Sequence, residues 1–129
     1  MGKAKFKDIR GVEHKGVVYQ CGDDVSLQNA TGGLPFVGTI KHVRQRKGSG
    51  QQPVTISIQW FYRPSEIPSK LLQHHKILLK PNELMESSHT DDNSPKSILG
   101  KINIHRVRTV PATYQVRKIP NERLLNLFG

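Results

Sequence analysis

From residue 54 to residue 62 the chain alternates without a break: Val54, Ile56, Ile58, Trp60 and Tyr62 share one parity, and Thr55, Ser57, Gln59 and Phe61 the other. A period of two belongs to a β-strand and not to a helix, because successive Cβ atoms of a strand point to opposite faces. Pro64 and Pro68 follow and end the strand, since proline has no N–H to give a ladder. Residues 36–43 read the same way, and Gly48-Ser49-Gly50 lies between the two runs. Residues 36–62 are therefore predicted to form one hairpin with a long basic tip.

The rest of the pattern agrees with this strand. Short apolar runs at 17–19, 24–27, 98–107 and 114–119 are separated by turn formers at 29–33 and 91–95. Helical turns fit at 69–73 and 80–85, with a short terminal helix over 122–128. Several short strands with regular turns predict an all-β fold, a barrel or a sandwich. A length of 129 residues suits one domain. We expect a flexible basic tail over 1–11 and a folded domain over 12–129.

Charge and cysteine content narrow the function. Lys and Arg number 20 against 10 Asp and Glu, a net +10, which favours polyanionic surroundings such as nucleic acid or chromatin. The segment KHVRQRK concentrates Lys41, Arg44, Arg46 and Lys47, the candidate DNA contacts. Against this stands an acidic island over 83–92, with Glu83, Glu86, Asp91 and Asp92. It reads as a solvated loop, or as a surface for a basic partner. No apolar run approaches 18 residues and no signal-peptide core opens the chain, so neither a membrane span nor secretion is expected. Phe6 stands where a myristoylation signal prefers Ser or Thr. Cys21 is the single cysteine, which excludes an internal disulfide, argues for a reducing compartment and reads by default as a buried thiol. In a strand, His74 and His75 would diverge, so no metal site and no cofactor are expected. There is no phosphate loop, no nucleophile elbow and no trustworthy carboxylate pair, and an enzyme is not expected.

The informative stretch is Gln59-Trp60-Phe61-Tyr62-Arg63-Pro64-Ser65-Glu66. The chain has 4 Phe, 3 Tyr and 1 Trp, and three of these eight are consecutive here. Alternation alone makes Trp60 and Tyr62 a continuation of the Ile56–Ile58 core stripe, with Phe61 facing the other way. Both rings, however, lie at the strand end. Phe36, following Pro35, starts the other arm of the hairpin near the same end. Three aromatic faces converging there would form a box for a quaternary ammonium, held by cation–π attraction.

Read in order, the chain resembles the bromo-adjacent homology (BAH) domain of chromatin proteins. Gly22-Asp23-Asp24-Val25 is similar to its opening strand. Leu34-Pro35-Phe36-Val37-Gly38-Thr39-Ile40 is similar to its "P-[FY]-[VI]-[AG]-x-I" strand, and Gln59 to Glu66 to its "W-[FY]-[YF]-R-P-x-E" motif, the most specific of the set. Asn82 to Asp91 resembles "N-E-[LV]-[FY]-x-S-x-H-x-D", residues 97–104 "x-I-x-G-K-C-x-V", and Tyr114-Gln115-Val116-Arg117 the closing "[FY]-x-C-R". Ile102 and Val116 depart from the family's cysteines, and the spacer 67–81 is unlike the family pattern, which leaves the wall of the peptide groove open.

The resemblance implies a distorted β-barrel with flanking strands and a few short helices, a nuclear location and a binding role in chromatin, gene silencing or transcription regulation. In methyl-lysine readers it implies an aromatic cage at Phe36, Trp60 and Tyr62. Peptide contacts would come from Glu66, His89 and Asp91, with Arg63 structural. The partner so implied is a histone H3 tail carrying a methylated, and most readily trimethylated, lysine. Nucleosomal DNA and other chromatin proteins are further partners. The alternative left open is a nucleosome-, DNA- or protein-binding module with no methyl-lysine pocket, its aromatics all core.

Overall fold

The computed structural model describes residues 5–74, 78–80, 82–109 and 115–118. Ten strands and one short helix follow one another as β1 (Phe6–Asp8), β2 (Val12–His14), β3 (Val17–Tyr19), β4 (Asp24–Leu27), β5 (Phe36–Arg46), β6 (Val54–Tyr62), α1 (Ser69–His74), β7 (Glu83–Asn93), β8 (Ile98–Lys101), β9 (His105–Thr109) and β10 (Gln115–Lys118). The fold is all-β, as the periodicity predicts. The expected terminal helix over 122–128, Tyr114 and His75 lie outside the described residues.

The main sheet runs β8-β4-β5-β6-β7-β10-β9, with β1 added to β5, while β2 and β3 form a separate hairpin. β5 and β6 are the expected hairpin, antiparallel from Val37↔Phe61 to Gln45↔Val54. Along the hydrogen-bonded path the sheet is not closed, because β8 and β9 end it without pairing to each other. Yet only residues 102–104 join those two end strands. Four Cα steps reach at most about 15 Å, whereas seven strands laid flat would span about 29 Å. The sheet must therefore curl until its ends nearly meet. The barrel expected from the sequence is present as a curl with an open seam. Ile102, just past β8, continues that strand's pairing with β4, its N–H donating to the Asp24 carbonyl at 2.9 Å.

Several expectations need correction. Residues 98–107 are two strands and not one, because the chain leaves the β4 edge at Lys101 and rejoins the sheet beside β10. The helical turn expected at 80–85 is a single Glu83 N–H to Lys80 carbonyl contact of 2.9 Å that opens directly into β7. The acidic island is therefore a strand and not a loop. Within the stretch expected as a flexible tail, Phe6–Asp8 is β1, paired with β5 from Phe6↔Arg46 to Asp8↔Arg44. The β2–β3 turn is tight, with Lys15 at φ 50° and Gly16 at φ 79°. Two consecutive positive φ values are what a two-residue hairpin with the right twist requires. Cys21 is exposed, not buried, with its thiol 2.9 Å from the Lys41 carbonyl. It sits in the bend that carries β3 into β4.

The two faces of the sheet bury separate clusters. One gathers Tyr19, Val25, Leu27, Ile40, Val43, Ile56, Ile58 and Ile98, with Trp60 packed partly against it. The other gathers Val37, Phe61, Leu84 and Ile102. The consecutive aromatics are thus divided by strand parity, Phe61 to one face and its neighbours to the other.

Gly38 lies directly across from Trp60 on the neighbouring strand. A Cβ there would stand 2.7 Å from the Gln59 carbonyl oxygen and run into the Ile58 side chain. Both obstacles are fixed, one being backbone and the other a fully buried isoleucine. Gly38→Ala is expected to cost about 1–3 kcal/mol, as overpacking does, measured by urea unfolding. An unchanged midpoint would mean that the β5–β6 pair spreads freely.

Candidate functional site

At the Phe36 end of the hairpin, a pocket of about 230 Å³ is lined by Phe36, Trp60, Phe61, Tyr62, Glu66, His89 and Asp91. Every residue singled out from the sequence for the cage and its flanks borders this one cavity. Phe36 and Trp60 meet edge to face, with ring centroids 5.8 Å apart and planes at 68°. Phe36 is 37% exposed, and Trp60 and Tyr62 are half-buried. Trp60 therefore has one side on the core and another toward the opening, so the choice between core and pocket resolves as both at once.

The rim is wired to the rings. The Trp60 indole N–H donates to Asp91 Oδ2 at 3.0 Å. The same oxygen lies 3.5 Å from His89 Nε2. The Tyr62 hydroxyl lies 3.1 Å from His89 Nδ1. A neutral imidazole satisfies both contacts if Nε2 carries the proton and donates to Asp91 while Nδ1 accepts from Tyr62. Trp60 is thereby hydrogen-bonded to Asp91 and Tyr62 to His89, and the carboxylate and imidazole lie side by side at the rim.

A bulge aims that rim. Phe61 pairs with Glu86 and Gln59 with Thr90, so Trp60 alone faces three residues, Ser87, Ser88 and His89. Ser87 holds the bulge: its hydroxyl donates to the Trp60 carbonyl at 2.8 Å, and its own carbonyl accepts the Gln59 side-chain amide at 2.7 Å. Ser87 and Gln59 are structural residues of the site not singled out from the sequence, and a three-for-one mismatch leaves no periodic signal. Bulges recur where a side chain has to be re-aimed.

The far wall is set by the turn Pro64–Glu66. Glu66 Oε1 accepts the Arg63 backbone N–H at 2.7 Å and lies 3.8 Å from the Arg63 guanidinium. Arg63 is 4% exposed, and burial pushes its guanidinium below the ordinary arginine value, with Glu66 opposing the shift. The side chain expected to be structural is thus interior, and it anchors a carboxylate at the pocket mouth.

The remaining candidates lie elsewhere. Lys41, Arg44 and Arg46 belong to β5 and only Lys47 to the tip, so the basic segment is mostly strand and not the expected loop. Arg44 pairs with Asp8 at 3.4 Å, while Lys41, Arg46 and Lys47 are exposed. Of the acidic island, Glu83 is buried and its carboxylate accepts the Lys80 N–H at 2.8 Å, so it is committed to the fold. His74 ends α1. Among the described residues no group of three or more His, Cys, Asp or Glu could hold a metal ion, and no helix is long and apolar enough to cross a membrane.

The family model of the BAH domain matches residues 17–125. The chain belongs to the BAH-domain family. BAH domains are chromatin-associated binding modules, which accords with the basic charge of the chain. A search of curated proteins returned no match. In this BAH domain the spacer over 67–81 holds α1, whose Leu72 packs with Ile67 and Leu79 against Met85.

Proposed function

We propose that this BAH domain binds a histone H3 tail, holding a trimethylated lysine between Phe36, Trp60 and Tyr62 in the nucleus. The observation that carries the reading is the convergence of those three rings on one pocket with a carboxylate on either side, Asp91 on the Trp60 edge and Glu66 beyond Tyr62. A quaternary ammonium has no N–H to donate and is weakly hydrated. It gains from ring faces and from nearby negative charge without needing a directed hydrogen bond. The acidic rim suits the basic character of a histone tail, with Glu66, His89 and Asp91 against the flanking peptide. Calorimetry on a trimethyl-lysine H3 peptide and its unmodified twin tests this. The modified peptide is expected to bind at least tenfold tighter, about 1.4 kcal/mol. Equal binding of the two peptides would leave the rings with a packing role only.

A second contact is compatible with the first. Lys41, Arg46 and Lys47 are exposed along one strand and its tip, and they would add affinity for nucleosomal DNA. Each phosphate contact contributes about 0.9 to the slope of log affinity against log salt. Neutralising the three is expected to flatten that slope by about 2–3 units in a DNA titration. Arg44, already facing Asp8, should contribute less. An unchanged slope removes the patch from the account.

A further inference from the structure

We propose that an apolar subsite beside the cage reads the side chain two residues from the methylated lysine in the same extended peptide. The proposal rests on the reading of Phe36, Trp60 and Tyr62 as a cage. The subsite is a groove of about 440 Å³ bordered by Tyr62, Glu66, Ile67, Pro68, Leu71 and Met85. Tyr62 and Glu66 border the first pocket as well, so the two cavities adjoin at these residues. In an extended chain, residues i and i+2 leave from the same side, about 6.6–6.8 Å apart. Two cavities that share Tyr62 and Glu66 adjoin, and same-side side chains of one extended peptide can serve both. A lysine in the first pocket can therefore place the side chain two positions away over the second.

The walls define what fits. Met85 is 4% exposed and pinned by Ile67, Leu72 and Leu79, so the floor is fixed. On α1, Leu72 serves that packing while the adjacent Leu71 stays 37% exposed at the groove. Ile67, Pro68, Leu71 and Met85, half of the lining, reward an apolar side chain, while an acidic one would lose water and face Glu66 and Glu86. Glu66 and Glu86 at its borders favour a peptide that is basic elsewhere. The substrate class is thus a basic peptide with a trimethyl-lysine and an apolar residue two positions from it. The spacer over 67–81 supplies Ile67, Pro68 and Leu71 to the groove.

The test uses the full chain and trimethyl-lysine peptides in which the positions two before and two after the lysine are in turn Gly, Ala, Leu or Asp. At one of the two positions, Leu is expected to bind about tenfold tighter than Gly, and Asp weaker than either. Leu71→Ala and Leu71→Asp should compress that range to about threefold or less while keeping the ratio of trimethylated to unmodified peptide. Leu78, 84% exposed and outside the groove, supplies the control Leu78→Ala, expected to change nothing. A flat profile at both positions with methyl dependence intact overturns the subsite and leaves the cage standing. Loss of methyl dependence in the wild-type chain overturns both. If Leu71→Ala lowers the melting temperature as a buried leucine would and leaves the profile unchanged, the groove is filled by the chain itself and the proposal fails.

Discussion

Trp60→Ala is expected to weaken binding of a trimethyl-lysine peptide by an order of magnitude or more while the domain stays folded. A quaternary ammonium over desolvated ring faces gains about 2 kcal/mol or more, and Trp60 supplies the largest face in the pocket. The same substitution removes the indole N–H from Asp91, which frees the carboxylate and the His89 ring that leans on it. Two losses should therefore add, one of the cage wall and one of the hydrogen bond to Asp91 at the rim. Trp60→Phe separates them, since it keeps a ring face and removes only the N–H. It should retain measurable methyl-dependent binding at an intermediate affinity. Because Trp60 is half-buried, its truncation should cost less stability than the ~3–5 kcal/mol of a fully interior aromatic. Calorimetry paired with a thermal melt reads both quantities. A Trp60→Ala protein that unfolds, from a parent that never discriminated methylation, would make the ring a core residue.

The next residue should behave in the opposite way. Phe61 is 5% exposed and packs with Val37, Leu84 and Ile102 on the other face of the sheet. Phe61→Ala is expected to cost about 3–5 kcal/mol, a large share of the 5–15 kcal/mol that typically holds such a domain together. Urea unfolding measures it. At temperatures where enough folded protein remains, peptide affinity should fall far less than in Trp60→Ala, because the three cage rings stay in place although Phe61 also borders the pocket. Equal effects of the two substitutions on stability and on binding would mean that strand parity does not divide packing from recognition at this strand end.

That parity was legible in the sequence, and its limits are equally physical. The clean alternation from Val54 to Tyr62 predicts β6, its partner β5 and the opposite faces of Trp60 and Phe61, because a half-buried strand must alternate. β7 was not legible as a strand. Its residues ELMESSHTDDN bury only the first three, and the bulge opposite Trp60 breaks the period where the polar half begins. β1 and β2 are three residues each, too short to show a period. The curl of the sheet follows from the short link between β8 and β9, a topological fact that no local pattern carries. Cage and rim residues could be named only through the family motif, since periodicity alone would have left Trp60 and Tyr62 in the core and His89 in a loop. The groove beside them depends on how residues 67–72 fold back over Met85, where neither motif nor period gives a reading.

The bulge in β7 also bears on how such a site could arise or vanish. Its two surplus residues are an even number, so Asp91 keeps the face of Ile58 and the sheet beyond is undisturbed. Removing one of them and slipping the pairing by one, in place of closing a two-for-one bulge, would carry His89 and Asp91 to the opposite face with their identities intact. Length and register at this point of the strand, and not only composition, thus decide whether the acid–imidazole rim exists. A family member could retain each of the rim residues in its sequence and still have no rim if it were one residue shorter between Glu86 and Thr90 and its pairing slipped by one.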